Sequence, residues 1–286
     1  MRACERGTED ICKGLLRCSK SSQKTSPMGG NMIAKISEKV LKNCPAVVHL
    51  SITKKCNLNC QKCYYKGKEN PELVKRIIED IAASRVKAVA IGGGEPMLHP
   101  NITDFINFLA ESGKIVSITT NGTICKPIDG VSKYAISFDP IHEQTWRSPE
   151  SVITSAKTYS EFAEVWMNHI LTTKEDLSRA LDVLGKYAST VTLLALKPIR
   201  RIDKELWLNA MELVKQYGLK IAVDACVAEI TGIGRCRQGI ASMSIDADGS
   251  YAICSNDRSN RIPYEGIEKS WEKIRRICPF NLKSKC

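Results

Sequence analysis

The chain has 286 residues, of which 43% are apolar and 26% charged, and its formal net charge at pH 7 is +11. No stretch approaches the roughly twenty unbroken apolar residues of a membrane helix, which excludes a helical membrane protein. The length suits one main domain with a small appendage. The excess of basic residues suggests a nucleic-acid partner, but metal-bound thiolates would lower the real charge, so the sequence disfavours such a partner.

The first segment of the chain is polar. Residues 1–31 carry scattered Arg, Lys and Ser and contain no apolar core of a secretory signal. We expect residues 1–45 to form a partly flexible extension, within which Met28 or Met32 can be the natural start. Thirteen cysteines without a secretory signal favour metal chemistry over disulfides. The sequence therefore predicts a cytoplasmic protein without membrane association.

Three cysteines follow the first predicted strand. The run 47–53 is rich in β-branched and apolar residues, and Cys56, Cys60 and Cys63 come next at the spacing Cys-x3-Cys-x2-Cys. Three thiolates on one loop can hold three corners of a 4Fe-4S cube and leave the fourth iron free to bind a substrate or cofactor. A zinc site is the alternative, although zinc knuckles usually pair Cys-x2-Cys with a second distant pair.

A glycine run ends the next predicted strand. Asn70 and Pro71 signal the start of a helix, and the apolar run 86–91 after it predicts a buried strand. That strand ends in Gly92, Gly93, Gly94, Glu95 and Pro96. Glycines allow a ligand to approach the backbone closely, and we expect the Glu95 carboxylate to accept hydrogen bonds from an ammonium group.

The cysteine triplet and the glycine run, in this order, resemble the hallmark motifs of the radical S-adenosylmethionine (radical SAM) superfamily. The resemblance implies that the amine and carboxylate of SAM chelate the open iron, while residues 92–96 hold the amine. It also implies further SAM contacts from polar residues at the ends of later strands, namely Asn121, Ser137, Asp139, Arg147 and Asn168. The alternative for these residues is a role in turns and caps, which Asn and Ser often have at strand ends.

The remaining pattern alternates helices with short strands. Residues 102–111, 176–187 and 203–217 have helical patterns, and the runs 115–119 and 191–196 between them are rich in Ile, Val, Thr and Leu. Six such alternations predict a parallel α/β sheet with right-handed crossovers. The resemblance implies a partial (β/α)6 TIM-like barrel, open on one side, over residues 46–225.

A second group of cysteines lies in the last fifty-one residues. Two short β-runs joined by Asp248 and Gly249 predict a hairpin that brings Cys254 towards Cys236. This hairpin and residues 265–271 resemble a SPASM or twitch auxiliary domain, but the chain lacks the dense cysteine run of a complete SPASM domain. The resemblance implies a small iron-sulfur domain over residues 226–286 with a second 4Fe-4S cluster. We expect as its ligands Cys236, Cys254, Cys278 and Cys286, with Cys226 as a substitute for one of them; the alternative is that these thiols bind nothing.

The resemblance also implies an activity. An external donor such as ferredoxin or flavodoxin would supply the electron that splits SAM, and the resulting 5'-deoxyadenosyl radical would abstract a hydrogen atom from a peptide or protein. One alternative is a small-molecule enzyme of cofactor or tetrapyrrole maturation. The molybdopterin-forming GTP cyclase is disfavoured, because it ends in Gly-Gly and this chain ends at Cys286. Another alternative is a noncatalytic iron-sulfur or RNA-binding protein.

No catalytic residue is assigned beyond the cofactor ligands. A basic cluster is either a solvated face or a surface for an acidic peptide, phosphate or RNA. Its members are Lys197, Arg200, Arg201 and Lys204.

Overall fold

The computed structural model describes residues 43–274 except 64, 144–146, 198, 200, 201, 235, 237 and 259. These residues form a ten-stranded sheet. Its strands are β1 (Val47–Thr53), β2 (Ala88–Gly93), β3 (Ile115–Thr120), β4 (Val131–Ser137), β5 (Glu164–Ile170), β6 (Thr190–Leu194), β7 (Lys220–Val223), β8 (Ser242–Ile245), β9 (Ser250–Ala252) and β10 (Ile262–Pro263).

Helices alternate with most of these strands. The α-helices are α1 (Pro71–Ala83), α2 (Ile102–Glu111), α3 (Pro140–Glu143), α4 (Pro149–Ser160), α5 (Lys174–Leu184), α6 (Lys204–Gln216), α7 (Ala225–Thr231) and α8 (Ile267–Ile274). Among the described residues, none of these helices is long and apolar enough to cross a membrane.

The sheet is a partial barrel. Strands β1 to β7 are parallel and follow one another in chain order, and β8 is parallel to the other side of β1. The edges of the sheet are β7 and β10, so the barrel is open between them. The predicted α/β class with a partial TIM-like barrel is therefore confirmed, and β7 to β10 extend the sheet beyond the six expected strands.

The helix ends follow local capping chemistry. The Asn70 side chain accepts a hydrogen bond from the Leu73 N–H, and Pro71 occupies the first turn of α1. Thr173 caps α5 and Asp203 caps α6 in the same way. These side chains satisfy N–H groups that a helix leaves unpaired at its start. Helix α5 therefore begins before the predicted residue 176, and α6 begins one residue after the predicted 203.

The C-terminal hairpin belongs to the barrel sheet. Strands β8 and β9 are antiparallel, as the sequence predicts, and β8 also pairs with β1, with Ile245 opposite Leu50. The sheet therefore crosses the domain boundary predicted at residue 226. Residues 1–42 of the predicted extension over residues 1–45, and the predicted ligands Cys278 and Cys286, lie outside the described residues.

Candidate functional site

A cavity of about 510 Å³ lies at the carboxyl ends of the parallel strands. This is where parallel α/β sheets bind their ligands, and the volume falls within the range of small-molecule sites. Two groups of cysteines line it. One group is Cys56, Cys60 and Cys63, and the other is Cys226, Cys236 and Cys254.

The first group lies on the loop after β1, which we call the cysteine loop (residues 54–69). The Cys63 N–H donates to the Cys60 carbonyl at 3.1 Å, which forms a turn between these two ligand candidates. The Leu58 N–H and the Asn121 side-chain amide lie 3.4 and 3.8 Å from the Cys56 sulfur. Burial raises the pKa of the Cys56 and Cys60 thiols, and the charges of neighbouring cysteines add to this effect. A bound cation would offset this repulsion between thiolates.

These residues fit an iron-sulfur cluster. Within the described ranges, no three His, Cys, Asp or Glu side chains are placed to hold a single metal ion. A 4Fe-4S cubane does not need three ligands on one ion, because each thiolate binds a different iron and one iron stays open. Three cysteines on one short loop, with amide donors directed at one sulfur, provide that donor set.

The glycine run packs against the cysteine loop. The Gly94 N–H donates to the Thr53 carbonyl at 2.8 Å, and the Glu95 N–H donates to the Lys55 carbonyl at 2.8 Å. A Cβ on Gly94 would lie 2.1 Å from the Lys55 oxygen, and one on Gly93 would lie 2.4 Å from the Thr53 oxygen. At Gly93 and Gly94 the chain's own backbone thus requires glycine, and Gly92, Gly93 and Gly94 also line the cavity.

Glu95 makes contacts that its predicted role did not include. Its side chain is 0% exposed and is not among the residues that line the cavity. The carboxylate accepts hydrogen bonds from the Met97 N–H, the Thr120 hydroxyl and the Asn121 N–H. Burial raises the pKa of Glu95, although these three donors act in the opposite direction. Pro96, which begins a short 3-10 helix (Pro96–Leu98), is also buried away from the cavity.

Three of the other predicted contacts reach the cavity. Asn121, Ser137 and Asn168 line it from the ends of β3, β4 and β5. The Asn121 side chain also binds Asn57 of the cysteine loop at 2.9 Å. Ser137 and Asn168 are direct neighbours in the pairing of β4 with β5. The structure therefore brings these three predicted contacts and the first cysteine group together.

Asp139 and Arg147 are buried beside the cavity and do not line it. Asp139 accepts hydrogen bonds from the Ile141 and His142 N–H groups and from the His142 ring. Burial alone would raise the pKa of Asp139, but the hydrogen bonds and charge of His142 lower it. One Arg147 nitrogen donates to the carbonyls of Asn121 and Ser137. Arg147 thus joins the ends of β3 and β4, which carry predicted SAM contacts, whereas Asp139 holds the first residues of α3.

The second cysteine group also lines the cavity, beside an ion pair that sequence reasoning did not find. Lys197 Nζ is 2.6 Å from Asp224 Oδ2, and both residues line the cavity. Asp224 also accepts a hydrogen bond from the Cys226 N–H at 3.0 Å. Burial raises the pKa of the Cys226 thiol to about 12, and Asp224, Cys236 and Cys254 add to the rise. The basic cluster predicted around Lys197 was the only signal of this pair; Arg200 and Arg201 lie outside the described residues.

His49 lies at the floor of the cavity and was also missed. It points inward from β1, and in the described part of the chain no atom forms a hydrogen bond with its ring. Burial, and then the charge of Lys133, lower the pKa of His49 to about 4, so its imidazole is neutral at pH 7. Lys133 lies 3.6 Å from the centre of the Trp166 ring.

Comparisons with known proteins identify relatives of the barrel. The sequence profile described as the Radical SAM superfamily matches residues 50–235. A probable GTP 3',8-cyclase of Methanosarcina mazei is 27% identical over 189 residues, 56% of each chain. That of Archaeoglobus fulgidus is 34% identical over 112 residues, 35% of this chain and 38% of the relative. The AdoMet-dependent heme synthase of Methanosarcina barkeri is 26% identical over 117 residues, 36% of this chain and 34% of the relative. The matches therefore span between 34 and 56% of these relatives.

The fold is similar to that of a solved enzyme. Streptococcus suis SuiB bound to S-adenosylmethionine has a TM-score of 0.66 and 17% identity, covering 80% of this chain and 64% of SuiB. SuiB bound to its precursor peptide SuiA gives the same TM-score at 15% identity, with 80% of this chain and 65% of SuiB covered. At 15 and 17% sequence identity, this likeness shows that the two proteins share a fold and nothing more. Because the superfamily profile matches more than half of the chain, including the cysteine triplet and the glycine run, the chain belongs to the radical SAM superfamily.

Proposed function

We propose that this protein cleaves SAM reductively and uses the resulting radical to modify a peptide or protein side chain. Membership of the superfamily implies SAM and a 4Fe-4S cluster as cofactors. The observation that carries the proposal is the single cavity lined by both cysteine groups. A substrate bound in it would lie close to both sets of thiols.

The first cysteine group and the glycine run would bind the cluster and SAM. Cys56, Cys60 and Cys63 would hold the first cluster, whose open iron would bind SAM. When bound, the cluster and SAM supply a 5'-deoxyadenosyl radical after one electron arrives from a donor such as ferredoxin or flavodoxin. The glycine run would offer backbone carbonyls to the SAM amine, since its backbone borders the cavity and the Glu95 carboxylate is already bonded.

Polar side chains would then orient the rest of SAM. Asn121, Ser137 and Asn168 provide amide and hydroxyl groups on the cavity wall. Asp139 and Arg147 are buried beside the cavity, so they would position SAM through the loops that they hold and not by direct contact. Apolar side chains from the ends of the strands, such as Ile170 and Leu194, also border the site and help to exclude water.

The second cysteine group would hold an auxiliary 4Fe-4S cluster. Cys226, Cys236 and Cys254 border the same cavity, and the pKa of Cys226 and of Cys254 is raised by burial and by neighbouring cysteines. Cys226, expected only as a substitute ligand, thus becomes a principal candidate. A fourth ligand would come from Cys278 or Cys286. A cluster there would be able to bind the substrate or take up an electron from it.

The peptide substrate is favoured by the extent of the likeness to SuiB, which binds a precursor peptide and matches 80% of this chain. The second candidate is a small-molecule substrate. It is favoured by the sequence similarity to GTP 3',8-cyclases and to a heme synthase, which covers 34 to 56% of those proteins. The two candidates share the same first cluster and the same use of SAM.

Detection of 5'-deoxyadenosine tests the proposal. The protein is reconstituted anaerobically with iron and sulfide, reduced with dithionite and incubated with SAM. We expect the wild-type protein and a Cys125→Ala control to release 5'-deoxyadenosine, and the Cys56→Ala/Cys60→Ala/Cys63→Ala variant to release none. Equal release by the triple variant would overturn the proposal. Candidate peptides encoded beside the gene, compared with GTP, then separate the two substrate classes by stimulation of SAM cleavage and by a mass change in the substrate.

A further inference from the structure

The C-terminal hairpin is bonded to the cysteine loop through one buried carboxylate. Asp246 directly follows β8 and is 3% exposed. Its Oδ1 lies 2.5 Å from Lys54 Nζ, and its Oδ2 lies 2.5 Å from Arg258 Nη1. The Lys54 side chain is 8% exposed. Two cations from distant segments thus share one carboxylate.

These residues are close in sequence to both groups of cysteines. Lys54 precedes Cys56 by two residues, and Arg258 follows Cys254 by four. Tyr65 follows Cys63 by two residues, and its ring centre lies 4.9 Å from Arg258 Cζ and 5.6 Å from Lys54 Nζ. Cation–π contacts of this kind add to the attraction between the segments. We call Lys54, Tyr65, Asp246 and Arg258 the Asp246 cluster.

Backbone contacts fix the same two segments. The Asn70 N–H, at the end of the cysteine loop, donates to the Ala247 carbonyl of the hairpin at 2.7 Å. The two ends of the loop are joined to each other because the Thr53 hydroxyl and the Lys54 N–H donate to Glu69 Oε2 at 2.8 and 2.6 Å. The cysteine loop is therefore attached to the hairpin near both of its ends.

The charges make Asp246 the central member of this cluster. Without its carboxylate, the ammonium of Lys54 and the guanidinium of Arg258 would lie together in a largely buried environment. Removal of one partner from a buried ion pair is strongly destabilising, because it leaves an uncompensated charge. The loop between Thr53 and Asn70 contains no regular helix or strand in its described residues, so it depends on such contacts for its shape.

We propose that Asp246 is a positioning residue of the cysteine loop, which binds Lys54 and Arg258 together and so fixes Cys56, Cys60 and Cys63 relative to the hairpin that carries Cys254. This inference rests on the proposed function, since a misplaced loop would impair SAM binding at the first cluster. The hairpin is thus a structural support of the SAM site as well as a source of candidate ligands for a second cluster.

Amide hydrogen exchange tests the positioning role without any need for SAM. Exchange is followed by mass spectrometry in the full chain, with and without reconstituted iron, for wild type, Asp246→Asn and the control Glu212→Gln, which breaks an exposed ion pair with Lys215 on α6. We expect at least about tenfold faster exchange over residues 54–69 in Asp246→Asn, with β4 and β5 unchanged. We also expect about tenfold weaker SAM binding to the reconstituted variant, and partial recovery of both properties in Asp246→Glu.

Wild-type exchange in the loop of a folded Asp246→Asn variant would overturn the proposal. If that variant fails to fold, Lys54→Met serves in its place, because it removes the loop's ion pair with Asp246 and leaves the Asp246–Arg258 pair intact, with no net charge. Loop-selective acceleration in Lys54→Met supports the proposal, and its absence refutes it. A protein that protects the loop as expected but produces no 5'-deoxyadenosine would contradict the proposed function and leave the role of Asp246 intact.

Discussion

The backbone N–H of Asn121 donates to the Glu95 carboxylate at 2.7 Å, so a side chain that follows β2 fixes the loop that follows β3. The same carboxylate binds the Thr120 hydroxyl at 2.9 Å and the Met97 N–H at 3.0 Å. Asn121 in turn contacts Cys56 and Asn57 of the cysteine loop. Glu95 therefore shapes the wall of the cavity through its neighbours.

Replacement of Glu95 by Ala should destabilise the protein. The change leaves buried donors without acceptors, and each such group costs about 1–3 kcal/mol. We expect Glu95→Ala to lower the free energy of unfolding by about 2–4 kcal/mol in urea titrations and to weaken SAM binding as a consequence. Glu95→Gln keeps one oxygen acceptor and should lose less. A Glu95→Ala variant with wild-type stability and no SAM binding would instead support the direct contact with the SAM amine that the sequence suggested.

The glycine run offers a matched pair of substitutions. A Cβ on Gly94 would meet the Lys55 carbonyl oxygen at 2.1 Å, whereas a Cβ on Gly92 would find its nearest neighbour, in the Thr119 side chain, at 3.9 Å. We expect Gly94→Ala to displace the cysteine loop, which lowers both the thermal midpoint of unfolding and the iron content after reconstitution. Gly92→Ala should retain wild-type stability, although its new methyl group can still weaken SAM binding at the cavity wall. Equal thermal midpoints for the two variants would contradict this explanation of the glycines.

Local sequence patterns predicted most of the barrel. Helix α1 begins at Pro71 as expected, because the Asn70 cap and the proline act within one turn. Strand β1 has the predicted bounds. Strand β2 was expected at residues 86–91 but extends to Gly93, which pairs with Thr53. Glycine has low strand propensity, so only the pairing with β1 reveals that the strand continues.

Local sequence patterns did not predict the contacts between distant segments. Asp139 was expected to contact SAM, yet its carboxylate is buried against the first residues of α3, a helix too short for a periodic signal. Lys197 meets Asp224 across 27 residues, and Lys54 meets Asp246 across almost two hundred. Such pairs depend on the order of strands in the sheet. The motif residues were predictable because their chemistry is encoded locally.

Iron content tests the second cysteine group. The Cys56→Ala/Cys60→Ala/Cys63→Ala variant should retain about four irons per chain after anaerobic reconstitution, because the tail would hold a complete cluster. Addition of Cys226→Ala should remove most of that iron. Addition of Cys44→Ala, a fully buried thiol that does not line the cavity, should not. Iron near zero in the starting triple variant would leave the protein with a single cluster.

The neutral imidazole of His49 predicts a pH dependence of stability. The pKa of His49 is about 4 in the folded protein and 6.5 in an unfolded chain, so between these values the unfolded state binds more protons. The contribution of His49 to the free energy of unfolding is therefore lost as the pH falls from 6.5 to 4, and stability rises with pH across this window. The shift corresponds to a loss of up to about 3 kcal/mol at pH 4, of which about 2 kcal/mol is already lost at pH 5.

Urea titrations of the iron-free protein between pH 5 and 8 measure this effect. We expect the free energy of unfolding of wild type to fall more steeply towards pH 5 than that of His49→Gln, since glutamine does not titrate. Other groups whose pKa is lowered by burial, such as His169, contribute equally to both proteins and cancel in the difference. Parallel profiles for the two proteins would mean that His49 is readily protonated in the folded state, and that the cavity floor beside Lys133 and Trp166 admits a charged imidazole.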